Sequence, residues 1–228
     1  MTMEALLLSI RLAVCVSAIL FVIGLPLAYW LAYSRWRGKF LVESVVALPL
    51  VLPPTVLGFY VLVALGTRGP LGKLWQAAFG HGLAFTFTGL VVASVLYSLP
   101  FAVQPLVASF ESVDRKLLDA SAVLGASTLR TFRRVILPMS VPGVITALVL
   151  SFAHTLGEFG VVLMVGGNLA GATRTVSIDI YDHVQSLDYA EANRMALILL
   201  VFSFVVLSIV YGVNRRIGRR VWSPWPAK

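Results

Sequence analysis

His154 and Glu158 are the residues whose types and spacing most clearly suggest chemistry, because they lie four positions apart in an otherwise uncharged stretch. On a helix this spacing places both side chains on one face. An acid within an apolar segment is a candidate for function, and the pair could serve a transport pathway or gate, with Thr155 beside them. A structural pair at a subunit interface is an equally open interpretation. The sequence contains no His-Glu-x-x-His or Gly-x-Ser-x-Gly pattern, so hydrolytic chemistry is disfavoured.

The composition places these residues in a membrane protein. Of the 228 residues, 59% are apolar and 12% are charged, whereas about 25% are charged in an average soluble domain. The mean hydropathy is +0.91. These values exclude a secreted disulfide scaffold, a disordered chain and a coiled coil. Because Cys15 is the only cysteine and the sequence has no Cys and His cluster with metal-ligand spacing, we predict no metal site and no cofactor.

Five charge-poor stretches are each long enough to cross the hydrocarbon core, which needs roughly 20 apolar residues. They cover residues 12–34, 44–67, 83–107, 142–165 and 195–214. Their apolar runs are continuous and lack the alternation of barrel strands, so only helices are plausible. The predicted fold class is therefore all-α integral membrane with five transmembrane helices, and we treat residues 1–228 as a single transmembrane domain.

Basic residues orient these helices. Most of the 18 Lys and Arg residues follow the first, third and fifth stretches. The positive-inside rule therefore predicts an N-terminus outside the cell and a C-terminus in the cytoplasm. The formal net charge of +8 reflects this topology, and we predict no nucleic acid partner.

The cytoplasmic loop 109–140 is longer than a connection needs and predicts two short helices. The first covers 113–124, Gly125 breaks the chain, and the second covers 127–136 with Ser127 as its N-cap. The second helix has apolar residues at helical spacing, Leu129, Phe132, Val135 and Ile136, and arginines on its other faces, Arg130, Arg133 and Arg134. This pattern fits either an amphipathic hairpin on anionic headgroups or a docking element for a cytoplasmic partner.

The same loop carries a spaced motif that favours docking. It reads Asp119, Ala120 and Ser121, three residues, Gly125, nine residues, then Val135, with Leu137 and Pro138 ending the second helix. The motif resembles the coupling motif of ATP-binding-cassette importer permeases, which reads Glu-Ala-Ala, three residues, Gly, nine residues, Ile, one residue, Leu-Pro. Gly125, Leu137 and Pro138 match it, and the other departures are conservative. The resemblance implies docking to a separate ATP-binding subunit, since the sequence contains no Walker motif.

Two further segments resemble molybdate permeases within that family. They read LPLVLPPTVLGFYVL from residue 48, and SFAHTLGEFG and GGNLAGATRTVSIDIY between residues 151 and 181. Sulfate and thiosulfate permeases share related segments and are the alternative, and the sequence does not rank molybdate, tungstate and sulfate. The family usually has Arg where this chain has His154, and a histidine can be neutral at pH 7, so a cationic role is not carried over to this position.

Prolines interrupt the second stretch. Pro49, Pro53 and Pro54 predict a kink, which either serves packing or shapes the wall of a pathway. Thr55 follows them and would offer a hydroxyl group to an oxyanion.

The resemblance also implies partners. It implies a homodimer in the bacterial inner membrane, surrounded by membrane lipid, with cytoplasmic ATP-binding subunits and a periplasmic molybdate-binding protein, and no catalysis by this chain itself. The external loop 166–194 is our candidate surface for the binding protein because four of its residues are acidic: Asp179, Asp182, Asp188 and Glu191. A remoter alternative is an ion-coupled secondary transporter that uses His154 and Glu158 as a proton relay.

Overall fold

The computed structural model describes residues 3–221, and the side chains of residues 3–212. Every regular element within residues 3–221 is helical. The helices are α1 (Met3–Tyr33), α2 (Lys39–Val51), α3 (Pro54–Leu65), α4 (Pro70–Phe79), α5 (Phe87–Glu111), α6 (Arg115–Val123), α7 (Thr128–Thr131), a π-helical turn (Phe132–Ile136), α8 (Leu137–Met139), α9 (Val141–Gly157), α10 (Gly160–Gly166), α11 (Val176–Gln185) and α12 (Tyr189–Val221).

Three of these helices, α1, α5 and α12, are long and apolar enough to cross a membrane. Two bent helix pairs raise the number of crossing segments in the described chain to as many as five, namely α2 with α3, and 128–139 with α9. The first, third and fifth predicted stretches overlap α1, α5 and α12, although the third begins four residues before α5. The predicted all-helical membrane fold is thus confirmed, and the count of five spans and the orientation of the termini stay predictions.

The helices α1, α5 and α9 pack together in the centre of the bundle. One buried cluster joins Leu12, Val16 and Leu20 of α1 to Leu90 and Ala102 of α5. Small residues allow close approach, as is common between membrane helices. A methyl group built on Gly24 lies 3.7 Å from the Cβ atom of Ala102. Removing apolar side chains from this centre is therefore expected to loosen all three helices.

Tandem prolines divide the second predicted stretch into two helices. α2 ends at Val51, Leu52 is extended with φ −74° and ψ 137°, and α3 begins at Pro54. The axes of the two helices differ by 114°. The predicted kink is thus a bend of more than a right angle, because Leu52 and Pro53 each precede a proline and both are driven out of the helical region.

The fourth predicted stretch is also divided. α9 ends at Gly157, and Glu158 leaves the helix with φ −66° and ψ 134° before α10 begins at Gly160. The external loop contains α11, and α4 lies between the second and third stretches; neither helix is among the predicted elements. Both helices are too short and too polar on one face to resemble a span, so a search for charge-free runs missed them.

Candidate functional site

A polar cluster lies between α5 and α9 inside the bundle. The hydroxyl oxygen of Ser98 lies 2.9 Å from Nδ1 of His154 and 3.0 Å from the hydroxyl oxygen of Thr155. The imidazole ring stacks on Phe101, with ring centroids 3.9 Å apart. The ring of Tyr97 also contacts the imidazole in a tilted arrangement, with centroids 4.8 Å apart. Hydrogen bonding and stacking thus hold the imidazole of His154 in one orientation.

Glu158 is buried beside this cluster, with 4% of its surface exposed. The Ser94 hydroxyl group is the neighbouring hydrogen-bond donor to its carboxylate, but neither group makes a hydrogen bond of good geometry among the described residues. Glu158 follows the last residue of α9, so it does not share a helix face with His154 as predicted. The part of the chain with described side chains contains no ion pair between the two. This geometry gives no support to a proton relay between them.

The two helix breaks meet in the structure. A Cβ atom built on Gly160, at the start of α10, would lie 2.7 Å from the Cβ atom of Pro54, at the start of α3. Farther along, a Cβ atom built on Gly58 of α3 would lie 3.0 Å from the Cβ atom of Met164 of α10. Pro53, Pro54 and Thr55 are exposed on this chain. The structure therefore places Pro54, a predicted pathway residue of the second stretch, against Gly160, two residues after Glu158, and Pro53, Pro54 and Thr55 lie on the surface.

The cytoplasmic hairpin has the local geometry that its sequence predicts. Asp114 caps α6, since its carboxylate accepts a hydrogen bond of 2.9 Å from the amide of Lys116. Ser127 caps α7 by accepting from the amide of Arg130. Gly125 lies between the two helices with φ +70°, as predicted. A hydrogen bond of 2.8 Å between the hydroxyl groups of Ser121 and Thr131 joins the two halves.

The first half of the hairpin is exposed and its second half is anchored. α6 has no buried residue, and the exposed fractions of Val123 and Leu124 are 87% and 85%. Asp119, Ala120 and Pro138 are exposed as well, whereas Val135 and Leu137 are half-buried. Contiguous exposed apolar patches are typical of interaction sites, and the two adjacent side chains at the end of α6 are candidates for part of one.

Phe132 and Ile136 hold the second half against the bundle. The Phe132 ring packs edge-on against Tyr29 of α1 at 5.3 Å, and Ile136 is buried in the core cluster with Phe110. Leu129 lies before this anchored turn and is 62% exposed. One detail of the prediction is wrong, because Leu137 and Pro138 do not end the helix. It continues through Met139, since a proline is tolerated in the first turn of α8.

The acids of the external loop are largely engaged within it. Asp182 accepts two hydrogen bonds from the Asn168 amide and pairs with Arg174 at 3.7 Å. Asp179 is buried, and Asp188 contacts His183 at 3.1 Å. These contacts order the loop, so its acidity is less available to a partner than the sequence suggests.

The sequence interpretation missed Ser94, Ser98 and Thr131. Each is a hydroxyl residue, and the first two lie in the third apolar stretch. Polar residues in such a stretch commonly face other helices, so their position within an apolar run was the available signal.

The amino-acid sequence matches a known protein family over most of its length. Residues 24–223 match the family described as binding-protein-dependent transport system inner membrane component. The chain belongs to this family. The predicted importer-permease resemblance is therefore confirmed.

Individual relatives cover nearly the whole chain. It is 51% identical to the molybdenum transport system permease protein ModB of Azotobacter vinelandii, over 93% of this chain and 94% of that protein. It is 36% identical to ModB of Escherichia coli K12, over 90% of each chain. It is 34% identical to the sulfate transport system permease protein CysT of Salmonella typhimurium, over 88% of this chain and 72% of that protein.

Solved structures agree on the fold. A chain of a bacterial alginate ABC transporter, crystallised with a periplasmic protein bound to an alginate pentasaccharide, matches with a TM-score of 0.77 at 18% identity, over 95% of this chain and 79% of that chain. A chain of the inward-facing MetNI methionine ABC transporter matches with a TM-score of 0.70 at 17% identity, over 92% of this chain and 93% of that chain. At these identities the likeness concerns the fold alone.

Proposed function

We propose that this chain is the permease subunit of an ATP-driven importer that carries molybdate across the bacterial inner membrane into the cytoplasm. The assignment of molybdate as the substrate rests on the 51% identity to a molybdenum transport permease over nearly the full length of both chains. The 34% identity to a sulfate permease makes sulfate the second candidate. Both ions are tetrahedral dianions, so a pathway for one is chemically suited to the other.

In the proposed assembly, two copies of the chain form a homodimer, with the N-termini outside and the C-termini in the cytoplasm. Each copy binds one ATP-binding subunit, and a periplasmic binding protein delivers molybdate. The exposed apolar end of α6, with Val123 and Leu124, supports the contact with the ATP-binding subunit. The exposed Pro53, Pro54 and Thr55 support a contact or pathway outside this chain. ATP hydrolysis belongs to the partner, and this chain performs no catalysis.

The hairpin offers a continuous mechanical route from the docking face into the membrane. The Ser121 to Thr131 hydrogen bond couples α6 to α7, and residues 128–139 meet α9 at an angle of 73°. α9 ends at Gly157, three residues before the contact between Gly160 and Pro54. Because these elements are packed, a rigid-body shift of the hairpin would displace the region where the two helix breaks meet.

The two helix breaks are the proposed gate of the pathway. Thr55 supplies a hydroxyl donor to an oxyanion, and His154 and Thr155 are held next to the break by Ser98. An ionised Glu158 would repel a dianion, so its proposed role is to shape the break between α9 and α10. Loss of packing at this position is expected to alter opening of the gate.

Reconstitution tests the proposed substrate. Proteoliposomes containing this chain, its ATP-binding subunit and its binding protein should accumulate molybdate when ATP is supplied, and a tenfold excess of unlabelled sulfate should leave that uptake largely intact. Preferential accumulation of sulfate or tungstate would transfer the assignment to that anion.

A further inference from the structure

A cavity of about 570 Å³ lies at the cytoplasmic base of the bundle, separate from the helix breaks. It opens between the end of α1, the start of α2, the end of α5 and the coupling helix α6. Its volume falls in the range of small-molecule sites, roughly 300–1,000 Å³. The charged residues that line it are Arg35, Lys39, Glu111, Arg115 and Asp119. The coupling role proposed for α6 does not explain this concentration of charge.

We propose that this cavity binds the headgroup of an anionic glycerophospholipid of the cytoplasmic leaflet, such as phosphatidylglycerol. In this site Arg35 and Arg115 contact the phosphodiester group, and Glu111 and Asp119 accept hydrogen bonds from the headgroup hydroxyls. Arginine is well suited to phosphate because its guanidinium group presents several donors in a fixed plane.

Two arginines of the cavity are available to a phosphodiester. Arg35 and Arg115 have no ion-pair partner among the residues with described side chains, whereas Lys39 pairs with Glu43 at 3.6 Å. With that pair set aside, two arginines and two carboxylates line the cavity and carry no net charge. A phosphodiester between the arginines adds one negative charge, whereas a dianion such as free phosphate or molybdate would add two. The two carboxylates also match the two hydroxyl donors of a phosphatidylglycerol headgroup.

The position of the cavity indicates lipid as the source of the phosphodiester. Trp30 and Trp36 lie at the end of α1, with ring centroids 5.9 Å apart and exposed fractions of 38% and 54%. Exposed tryptophans at a helix end are typical of the membrane interface. Basic segments at the cytoplasmic end of a membrane helix attract anionic lipids. The cavity therefore lies at headgroup depth.

The cavity and the exposed apolar end of α6 belong to different turns of that helix. Arg115, Leu118 and Asp119 line the cavity, whereas Val123 and Leu124 are exposed and do not contribute to it. An ATP-binding subunit that contacts the apolar end alone would leave the lipid site accessible, although Asp119 is also the first residue of the coupling motif. The lipid would connect α6 to the loop between α1 and α2, and the proposal does not depend on which anion is transported.

Native mass spectrometry of the complete importer tests the site after reconstitution in nanodiscs of phosphatidylglycerol and phosphatidylcholine and mild extraction. The chain should retain one phosphatidylglycerol per copy and no phosphatidylcholine. The double substitution Arg35→Gln with Arg115→Gln should lower this retention by about tenfold or more, because it removes two charge-assisted phosphate contacts. The matched control Arg37→Gln with Lys116→Gln removes the same charge from neighbouring positions outside the cavity lining and should retain the lipid.

Substitution of both arginines by lysine keeps the charge and should retain more lipid than the glutamine variant, which separates lost binding from misfolding. Equal lipid retention by the glutamine variant and its control would overturn the proposal. Displacement of the lipid by millimolar inorganic phosphate would overturn it in favour of a free anion. Release of the ATP-binding subunit by the glutamine variant, with lipid retention unchanged, would overturn it in favour of a subunit contact.

Discussion

Gly160 packs directly against Pro54, and a single added methyl group would bring two Cβ atoms to 2.7 Å. This contact joins the start of α10 to the start of α3, and both helices follow a break in an apolar segment. Glycine is needed here for close approach, because the neighbouring atom belongs to a rigid proline ring. The region around this contact is the proposed gate, so its packing gives the first prediction.

Gly160→Ala should destabilise the chain by about 1–3 kcal/mol and reduce molybdate uptake, because overpacking forces the two helices apart. Gly157→Ala is the matched control, since a Cβ atom at Gly157 meets nothing within 4 Å. Thermal unfolding of the purified chain and uptake in proteoliposomes measure the two effects. If both variants behave alike, the contact with Pro54 does not control the gate.

Ser98→Ala should lower stability by about 1–3 kcal/mol, because it leaves the buried hydroxyl of Thr155 and the imidazole of His154 without their partner. Ser17→Ala is the control, because Ser17 is also buried and its hydroxyl group makes no hydrogen bond among the described residues. The unfolding temperature of the Ser17 variant should be close to that of the unchanged protein. A larger loss for Ser17→Ala than for Ser98→Ala would contradict this account of the cluster.

The hydrogen bond between Ser121 and Thr131 should tighten the link between ATP hydrolysis and transport. Ser121→Ala and Thr131→Val are each expected to increase the ATP consumed per molybdate imported, and the double variant should add little to either. A hydrogen bond of this kind contributes about 0.5–1.5 kcal/mol, so the loss of coupling should be partial. Thr128→Val, at an exposed neighbouring position, serves as the control. Strictly additive effects in the double variant would contradict a direct interaction.

Gly125 should be replaceable only by residues that accept a positive φ. Gly125→Asn is expected to keep most of the retention of the ATP-binding subunit, whereas Gly125→Val should reduce it strongly, since the φ of +70° disfavours a β-branched residue. Co-purification of the subunit and uptake are the measurements. Normal co-purification and transport by the valine variant would refute the role of this turn in docking.

Local signals predicted some parts of this architecture well. The long charge-free runs correspond to α1, α5 and α12, and Gly125 and Ser127 take their predicted conformations because turns and caps depend mainly on nearby residues. The helix break at Glu158 was not predictable in the same way, since no proline marks it. Its partner, Pro54, is distant in sequence, and only the tertiary contact with Gly160 brings the two breaks together.

The amphipathic pattern of the hairpin was only partly informative. It placed Leu129, Phe132 and Ile136 on one apolar face without indicating which of them the bundle buries, and the bundle does not reach Leu129. Periodicity defines a face of a helix, whereas the extent of burial depends on the length of the elements beneath it. The acids of the external loop illustrate the same limit, because the contacts of Asp182 with Asn168 and Arg174 depend on how the loop folds.

Energy coupling provides the most direct test of the proposed function. Accumulation of labelled molybdate is measured in proteoliposomes that contain this chain, its ATP-binding subunit and its binding protein, with ionophores present to remove all ion gradients. Uptake should require ATP, persist without gradients, and stop when Val123 and Leu124 are both replaced by aspartate to disrupt the docking face of α6. Uptake that requires a proton gradient, or that continues without ATP, would contradict an ATP-driven importer.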